Sequence, residues 1–451
     1  LFFKGCFIVP LEVWFLSREH VVKELREHKG LYLPNYKQNI FSVVPTALRF
    51  LDVDVNRQTL LNTRSLKRVF EDTCCMDAEN VVCLVVDSVG VHQLPCFTHL
   101  FDAWSSLGRL KLSSVFPTIT SAAIVSIHLG IPPERHGIVG HKVRFKQLGT
   151  VVDTLKMASV KSLSVDRLVK SGIDVRVLLL ENGFYDELKD KEVAHVELMP
   201  SDIAGTGLSH LLEVEDVTVG FSNVVDAFST LRKVLDKFEG KKKIVNVYFG
   251  LMDDISHKYG PLSEEYRLAA HHVEEVFTHF LKGLSGKTER TVFLFFSDHG
   301  QGQVHEEKTV KVSEDDAEDV SRFMESPPGR SGRVCHFYVK EGEEERVKDW
   351  IEGKVGENGV VLSFEELCRS FNLQVKGKNR EELKSRMGNL VLVLKGEAEL
   401  KFQRKEKEEK EKIVEEKWRG SHGSTTLNEI LVPLIAARGD VLKEVLGVRS
   451  R

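Results

Sequence analysis

Four short, largely apolar runs constrain this chain more than any other feature: VVCLVV (Val81–Val86), VRVLLL (Val175–Leu180), KIVNVYFG (Lys243–Gly250) and TVFLFFS (Thr291–Ser297). A strand with one wet face alternates polar and apolar residues, whereas a near-continuous apolar run must be covered on both faces. Between the runs the period changes. Over Glu264–Leu284, Tyr266, Ala269, Ala270, Val273, Val276, Phe277 and Phe280 form the stripe of an amphipathic helix. Buried strands alternating with helices predict an α/β domain, its central sheet mostly parallel and carrying helices on both faces.

The 451 residues leave room for one large α/β domain with insertions, or for two to three ordinary domains. A net charge of -4, from 63 basic and 67 acidic residues, leaves no electrostatic footprint for a nucleic-acid polymer or an anionic membrane. A small phosphate-bearing partner must therefore be held by local chemistry. No stretch reaches the ~18 uninterrupted apolar residues of a membrane span. The seven cysteines include no CxxC pair, and only Cys74 and Cys75 are adjacent, which reads as reduced, buried thiols. Leu1–Leu16 is apolar like a short signal peptide, but Pro10 and Glu12 interrupt it and no small-residue cleavage site follows. The expectation is a cytoplasmic protein, with export as the alternative. Nothing in the sequence speaks to oligomeric state.

Composition divides the chain into a lead-in (1–78), a catalytic core (79–302), an inserted subdomain (303–400) and a charged segment returning to the core (401–451). Residues 303–332 are polar and contain Pro327-Pro328-Gly329, and are expected to be a surface loop. CHFYVK, EEERVKDWIEGK, VVLS, FEELCRSF and NLVLVLK then read as a small βαβαβ-like block, an inserted α+β subdomain. The charge-dense run over 401–420 reads as a solvated helix or hairpin face.

Acidic and imidazole residues sit just past the ends of the expected strands, where parallel α/β sheets gather their functional groups. They are Asp87 after VVCLVV, Asp253 and His257 in LMDDISH, Asp298 and His299 in FFSDHG, and His422 in GSHGS. Singly, each has an ordinary alternative: a turn aspartate, a surface histidine, a loop. Together they supply three carboxylates and three imidazoles, the donor set of two divalent ions with positions left open for substrate oxygen.

A nucleophile is also on offer. In VFPTITSAAIVSIHLGIPPERHGIVGH (Val115–His141) a Pro-Thr-x-Thr turn runs into a helical stretch over Ser121–Leu129. A hydroxyl at that helix start faces free backbone N–H groups able to hold a phosphate oxygen, and a nearby metal would make it a competent attacker. Thr118, Thr120 and Ser121 would equally serve as helix caps. His271, His272 and His279 read as helix-surface or packing residues, His136 as a loop anchor and His305 as part of a polar segment. His92, His99, His128 and His336 have no partner pattern.

The string PTITSAAIVSIHLGIPPERHGIVG, with SDHG and the D-x-x-x-H of Asp253–His257, resembles the nucleotide pyrophosphatase/phosphodiesterase family of the alkaline phosphatase superfamily. The resemblance extends over roughly 80–300 and 420–440. It implies an alkaline-phosphatase-like fold and two metal ions, expected to be zinc, with manganese or magnesium as alternatives. One ion would lie on Asp253, His257 and His422, the other on Asp87, Asp298 and His299. Thr120 would stand beside the second ion, as its ligand and as the nucleophile of a covalent intermediate. The substrate implied is a small, nucleotide-like phosphodiester or pyrophosphate. The family's Asn after HGI is His141 here, a candidate donor to a phosphoryl oxygen, and its Pro-Asn pair is Ala122-Ala123, which puts the usual nucleotide pocket in doubt. The ending HGSTTLNEILVPLI is similar to cofactor-independent phosphoglycerate mutases, so a phosphomonoesterase or phosphomutase on the same fold is an alternative. A non-catalytic scaffold is the third reading; all six ligand positions and the nucleophile argue against it. No C-x-P-x-R sequence supports a sulfatase.

Overall fold

The computed structural model describes residues 25–55, 60–61, 78–103, 107–184, 187–188, 191–212, 217–284, 286–402 and 418–448. Leu1–Leu16, Cys6, Cys74, Cys75 and most of the charged 401–420 run lie outside the described residues. Cys83, Cys96, Cys335 and Cys368 are free and buried, as expected of reduced thiols. No helix among the described residues is long and apolar enough to cross a membrane.

Seven strands form the central sheet: β1 (Asn80–Val86), β2 (Gly108–Ser113), β3 (Ala194–Pro200), β4 (Val217–Phe221), β5 (Lys243–Phe249), β6 (Thr291–Phe296) and β7 (Leu431–Arg438). Their order is β2-β7-β6-β1-β5-β3-β4. The run from β6 through β1, β5 and β3 to β4 is parallel throughout, and β7 pairs antiparallel with both β6 and β2. β1 lies at the centre with every residue buried, as its unbroken apolar run requires.

Alternate residues of β1 serve opposite cores. Val82, Leu84 and Val86 pack against α2 (Val224–Lys237) and α4 (Glu264–Lys282). Val81, Cys83 and Val85 face the short helices over 40–51 and Ala123 and Ile127 of α1 (Thr120–Leu129). Helices thus cover both faces, the arrangement the sequence predicts. The second and smaller sheet has the order Gly329–Ser331, Val334–Phe337, Leu390–Leu394, Gly359–Ser363, with antiparallel neighbours throughout.

Two local expectations fail. Val175–Leu180 is no strand: Val175–Leu178 winds into a 3-10 turn because the Asp174 side chain accepts from the N–H of Arg176, leaving Val177 65% exposed and Leu178 buried. Nor is 303–332 simply a loop. Thr309–Val312 pairs in parallel with Glu399–Phe402, and Ser313 and Asp316 form a capping box that starts a helix over Glu314–Ser321. The pairing partner lies about ninety residues away, beyond the reach of local pattern. β3 carries no continuous apolar run, because the polar His195 and Glu197 interrupt it: His195 is buried beside Glu197, and Glu197 lines a cavity rather than the core.

Candidate active site

The sheet delivers its functional groups to one edge. Asp87 directly follows β1, and Asp298 and His299 follow β6, the neighbouring strand. β5 continues into α3 (Leu251–Tyr259), whose first and second turns carry Asp253 and His257 on one face, four residues apart. His422 arrives from the opposite end of the chain, on the loop after Gly420–Ser421, which pairs with Gly302–Gln303 just beyond His299. The turns after β1 and β6 abut closely. A Cβ at Gly300 would lie 2.1 Å from the Asn428 carbonyl oxygen and 2.7 Å from Gly90 Cα, so only glycine fits.

All seven residues expected at the metal centre meet there. Asp253, His257 and His422 form one group and Asp87, Asp298 and His299 another, the ligand atoms of each lying within 4.8 Å of one another. Nε2 of His257 is 3.3 Å from Asp253 Oδ2, and Nε2 of His422 is 3.6 Å from Asp253 Oδ1. Nε2 of His299 is 3.3 Å from Asp298 Oδ2 and 3.5 Å from Asp87 Oδ1. The groups adjoin, for the rings of His299 and His422 stack at 3.9 Å. Oγ1 of Thr120, the first residue of α1, lies 3.2 Å from Nε2 of His299.

The orientation of the imidazoles argues for cations. Nδ1 of His257, His299 and His422 lies 2.8, 3.2 and 2.9 Å from the carbonyl oxygens of Gly420, Gly300 and Thr118. Donation from Nδ1–H to each carbonyl would leave every Nε2 as a free lone pair turned into the cluster, the usual preparation of a metal-binding histidine. The carboxylates match. Oδ1 of Asp87, Oδ1 of Asp253 and Oδ2 of Asp298 are buried and take no hydrogen bond. Burial pushes the Asp298 carboxyl up to about 7 and Asp87 well above the ordinary range, with the neighbouring carboxylates adding to the rise at Asp87. Asp253 is lowered: burial works against this, but His257 and His422 outweigh it. Buried carboxylates this close are costly without positive charge between them, so the residues present fit a pair of divalent ions.

A cavity of about 1030 Å³ opens on this centre, and Asp87, Thr120, His141, Asp253, His257 and His422 all line it. Asp298 and His299 lie behind, fully buried. His141 Nδ1 is 3.1 Å from the hydroxyl of Ser121, next to the candidate nucleophile, and burial first and the nearby His422 second push its pKa down to about 3. Its ring is thus neutral.

Several contributors escape sequence reasoning. The hydroxyl of Tyr248 donates to Asp87 Oδ2; its place two residues before the end of KIVNVYFG, on the face of β5 shared with Asn246, was the available signal. Lys142, Lys258, Arg330 and Lys401 line the cavity and counter its carboxylates, but they come from four separate segments. Trp418 packs its ring 4.1 Å from that of His257. Arg333 is fully buried, donates to Glu429 Oε2 at 2.8 Å and, through its N–H, to the His422 carbonyl at 3.0 Å, so the small sheet holds the His422 loop in place. His128, without a partner in the sequence pattern, meets His195 and Glu197 at the cavity's edge. His136 does anchor its loop, its ring nitrogens at 2.9 Å from Ser126 Oγ and 3.1 Å from the Ile138 N–H nitrogen. His305 pairs with Glu397 on the surface.

The family model for type I phosphodiesterase / nucleotide pyrophosphatase matches residues 81–425. Among solved structures, murine ectonucleotide pyrophosphatase / phosphodiesterase 5 superposes with a TM-score of 0.58 at 17% identity, covering 82% of this chain and 96% of that one. An inactive Thr-to-Ala form of the murine protein in complex with AMP gives 0.54 at 16% identity, with the same coverage of 82% and 96%. Phosphonoacetate hydrolase from Sinorhizobium meliloti 1021 in complex with phosphonoformate gives 0.56 at 17%, again covering 82% and 96%. At such identities the structural likeness speaks for the fold. No curated protein matches the sequence.

Proposed function

From the premise that this chain belongs to the type I phosphodiesterase/nucleotide pyrophosphatase family, and so is a phosphoric ester hydrolase of the alkaline phosphatase superfamily, we propose that it cleaves phosphodiester or pyrophosphate bonds of small nucleotide-like substrates through a covalent intermediate on Thr120. The observation that carries this reading is the juxtaposition of two three-ligand groups with a helix-initial hydroxyl, Thr120 Oγ1, 3.2 Å from His299.

Asp253, His257 and His422 would hold one divalent ion and Asp87, Asp298 and His299 the other, with zinc the best match to this mixed imidazole and carboxylate set. Ions bound there supply Lewis-acid stabilisation of phosphoryl oxygens and lower the pKa of hydroxyl and water nucleophiles. Thr120 is held by the first turn of α1, so its oxygen is aimed without loop motion. Oγ1 forms the new bond to phosphorus as the bond to the leaving oxygen breaks, and the hydroxyl proton departs with the leaving group. Water then bonds to phosphorus of the nucleotidyl-threonine as the bond to Oγ1 breaks, which releases the nucleoside monophosphate and returns a proton to the Thr120 hydroxyl. Unpaired N–H groups at the start of α1 favour the negative charge gathered on the phosphoryl oxygens. His141, neutral and beside Ser121, is placed to donate one hydrogen bond to such an oxygen. The AMP complex of the inactive murine Thr-to-Ala protein lends support to a nucleotide-like substrate and an essential threonine.

Hydrolysis of p-nitrophenyl thymidine monophosphate and of p-nitrophenyl phosphate by the zinc-reconstituted protein tests the reading, with Thr120→Ala as control. Faster Thr120-dependent cleavage of the diester is expected. Preference for the monoester would move the assignment to a phosphatase or mutase, and activity of Thr120→Ala within tenfold of the parent would remove Thr120 as nucleophile.

A further inference from the structure

The cavity has a second polar pole, far from the metal-ligand groups. Helix α1 runs between the two. Thr120 begins it and His128 follows eight residues later, about 12 Å along the axis at ~1.5 Å per residue. Thr120, Ile124, Ile127 and His128 share the face that lines the cavity. The floor repeats this span. Glu197 of β3 is in register with Asn246 of β5 and Cys83 of β1, four residues before Asp87 and two strands across. Between the poles Ile124 and Ile127 of α1 and Met199 of β3 form an apolar side of the cavity, Leu208 and Leu212 add to its apolar lining, and Tyr248 and Asn246 of β5 contribute polar groups.

Glu197 is held with one oxygen occupied. Oε1 lies 2.6 Å from His195 Nε2, 3.3 Å from His128 Nδ1 and 2.6 Å from Asn246 Nδ2, which donates to it. Oε2 takes no side-chain or backbone donor among the described residues, and Glu197 lines the cavity with its side chain 11% exposed. The carboxyl is ionised: burial alone would raise its pKa, but His195 and His128 outweigh burial and hold it at about 2. Oε1 thus serves three neighbours at once. A carboxylate oxygen left over at the end of an apolar channel is satisfied by a hydrogen-bond donor on whatever fills that channel.

We propose that Glu197 is a specificity-determining residue, accepting a hydrogen bond from an amino group at the far end of an apolar organic group, about 10 Å long, carried by the phosphate ester. His195, His128 and Asn246 are its positioning residues. The inference rests on the phosphodiesterase reading for the location of the phosphoryl group, since Thr120 sets the origin from which the span is measured.

The test uses the zinc-reconstituted full chain and three p-nitrophenyl phosphodiesters, of methanol, hexanol and 6-aminohexanol. Wild type should cleave the aminohexyl ester with a kcat/KM about 10- to 100-fold above the hexyl ester, the range of one hydrogen bond to a charged group. In Glu197→Gln the amide oxygen keeps the internal donors and the NH2 group turns to the cavity, so this ratio should fall to one or below. The methyl ester, too short to reach Glu197, should be cleaved equally by both proteins. A wild-type ratio within about twofold, with the methyl ester still cleaved, would overturn the role of Glu197 and leave the hydrolase reading standing. Calorimetric binding of 6-aminohexyl phosphate against hexyl phosphate separates the converse case: tenfold discrimination in binding without turnover of any ester would retain Glu197 and sink the hydrolase reading. Both wild-type ratios decide the matter even if Glu197→Gln does not fold.

Discussion

Tyr248 donates its hydroxyl hydrogen to Oδ2 of Asp87, and Oδ1 of the same carboxylate is left facing Nε2 of His299 at 3.5 Å. One oxygen is fixed by the sheet, through β5, and the other is free for a ligand. Tyr248→Phe keeps the ring and removes only this bond. Metal affinity of the Asp87 group should fall about 10- to 100-fold, the usual cost of losing an outer partner of a metal ligand. Zinc titration followed by activity should show excess metal restoring kcat; an unchanged titration midpoint would make the contact a packing feature.

Removal of metal should be felt in stability as well as turnover. Three buried carboxylates each present an unpartnered oxygen to the cluster, so the folded state gains whatever free energy the ions supply, about 2.7 kcal/mol for a ligand at 100 times its Kd. Chelation should lower Tm and readdition of zinc should restore it. A melting curve indifferent to chelator would show that no ion is held there.

His141 stands next to the candidate nucleophile through Ser121 and is neutral. His141→Ala should raise KM several-fold for a diester substrate while zinc content stays at the wild-type value. Unchanged Michaelis parameters would return His141 to a purely structural role.

The salt bridge between Arg333 and Glu429 is fully buried, and Arg333 also donates to the carbonyls of Ala398, Lys395 and Gly396. Arg333→Met leaves Glu429 as an uncompensated buried charge, at a cost of about 3–5 kcal/mol. Denaturant unfolding should register that loss. Because Glu429 also accepts from the N–H of Ser424, two residues from His422, zinc affinity should weaken in parallel.

Glu134 gives a pH dependence away from the metal-ligand groups. Burial raises its carboxyl to about 7, against hydrogen bonds that include one from Tyr36 at 3.0 Å and against the charge of Arg135. The folded state therefore holds a proton that the unfolded chain, with its carboxyl near 4.5, releases. The associated stability is fully present below 4.5 and is lost as pH rises toward 7, at most roughly 3 kcal/mol at ~1.36 kcal/mol per pH unit. Glu134→Gln should flatten urea-unfolding free energies between pH 5 and 7; the same slope in both proteins would locate the dependence elsewhere.

The legible parts of this chain are those whose signal is local. Val81–Val86, Lys243–Phe249 and Thr291–Phe296 read as strands because each must be covered on both faces, and Glu264–Lys282 as a helix because its apolar stripe spans five turns. Asp87, Asp298 and His299 were legible because they stand just past strand ends, Thr120 and Asp253 because they open helices, and His257 and His422 because they complete the strings LMDDISH and GSHGS. Val175–Leu178 shows the opposite case, for an apolar run with strand composition was captured by a single Asp174 cap. Ala194–Pro200 shows another: a strand whose polar His195 and Glu197 interrupt the apolar pattern that would have revealed it.

By itself, then, the sequence determined the doubly covered sheet, the candidate ligand types and the candidate nucleophile, since periodicity and residue chemistry are properties of neighbours along a chain. Only the tertiary structure brought the six candidate ligands together as two adjoining groups, and only it showed that Tyr248 and Arg333 support them and that Glu197 lies at the far end of the cavity. Those relations join residues up to several hundred positions apart, and they depend on strand register and on which face each side chain takes, quantities that packing sets and local sequence does not carry.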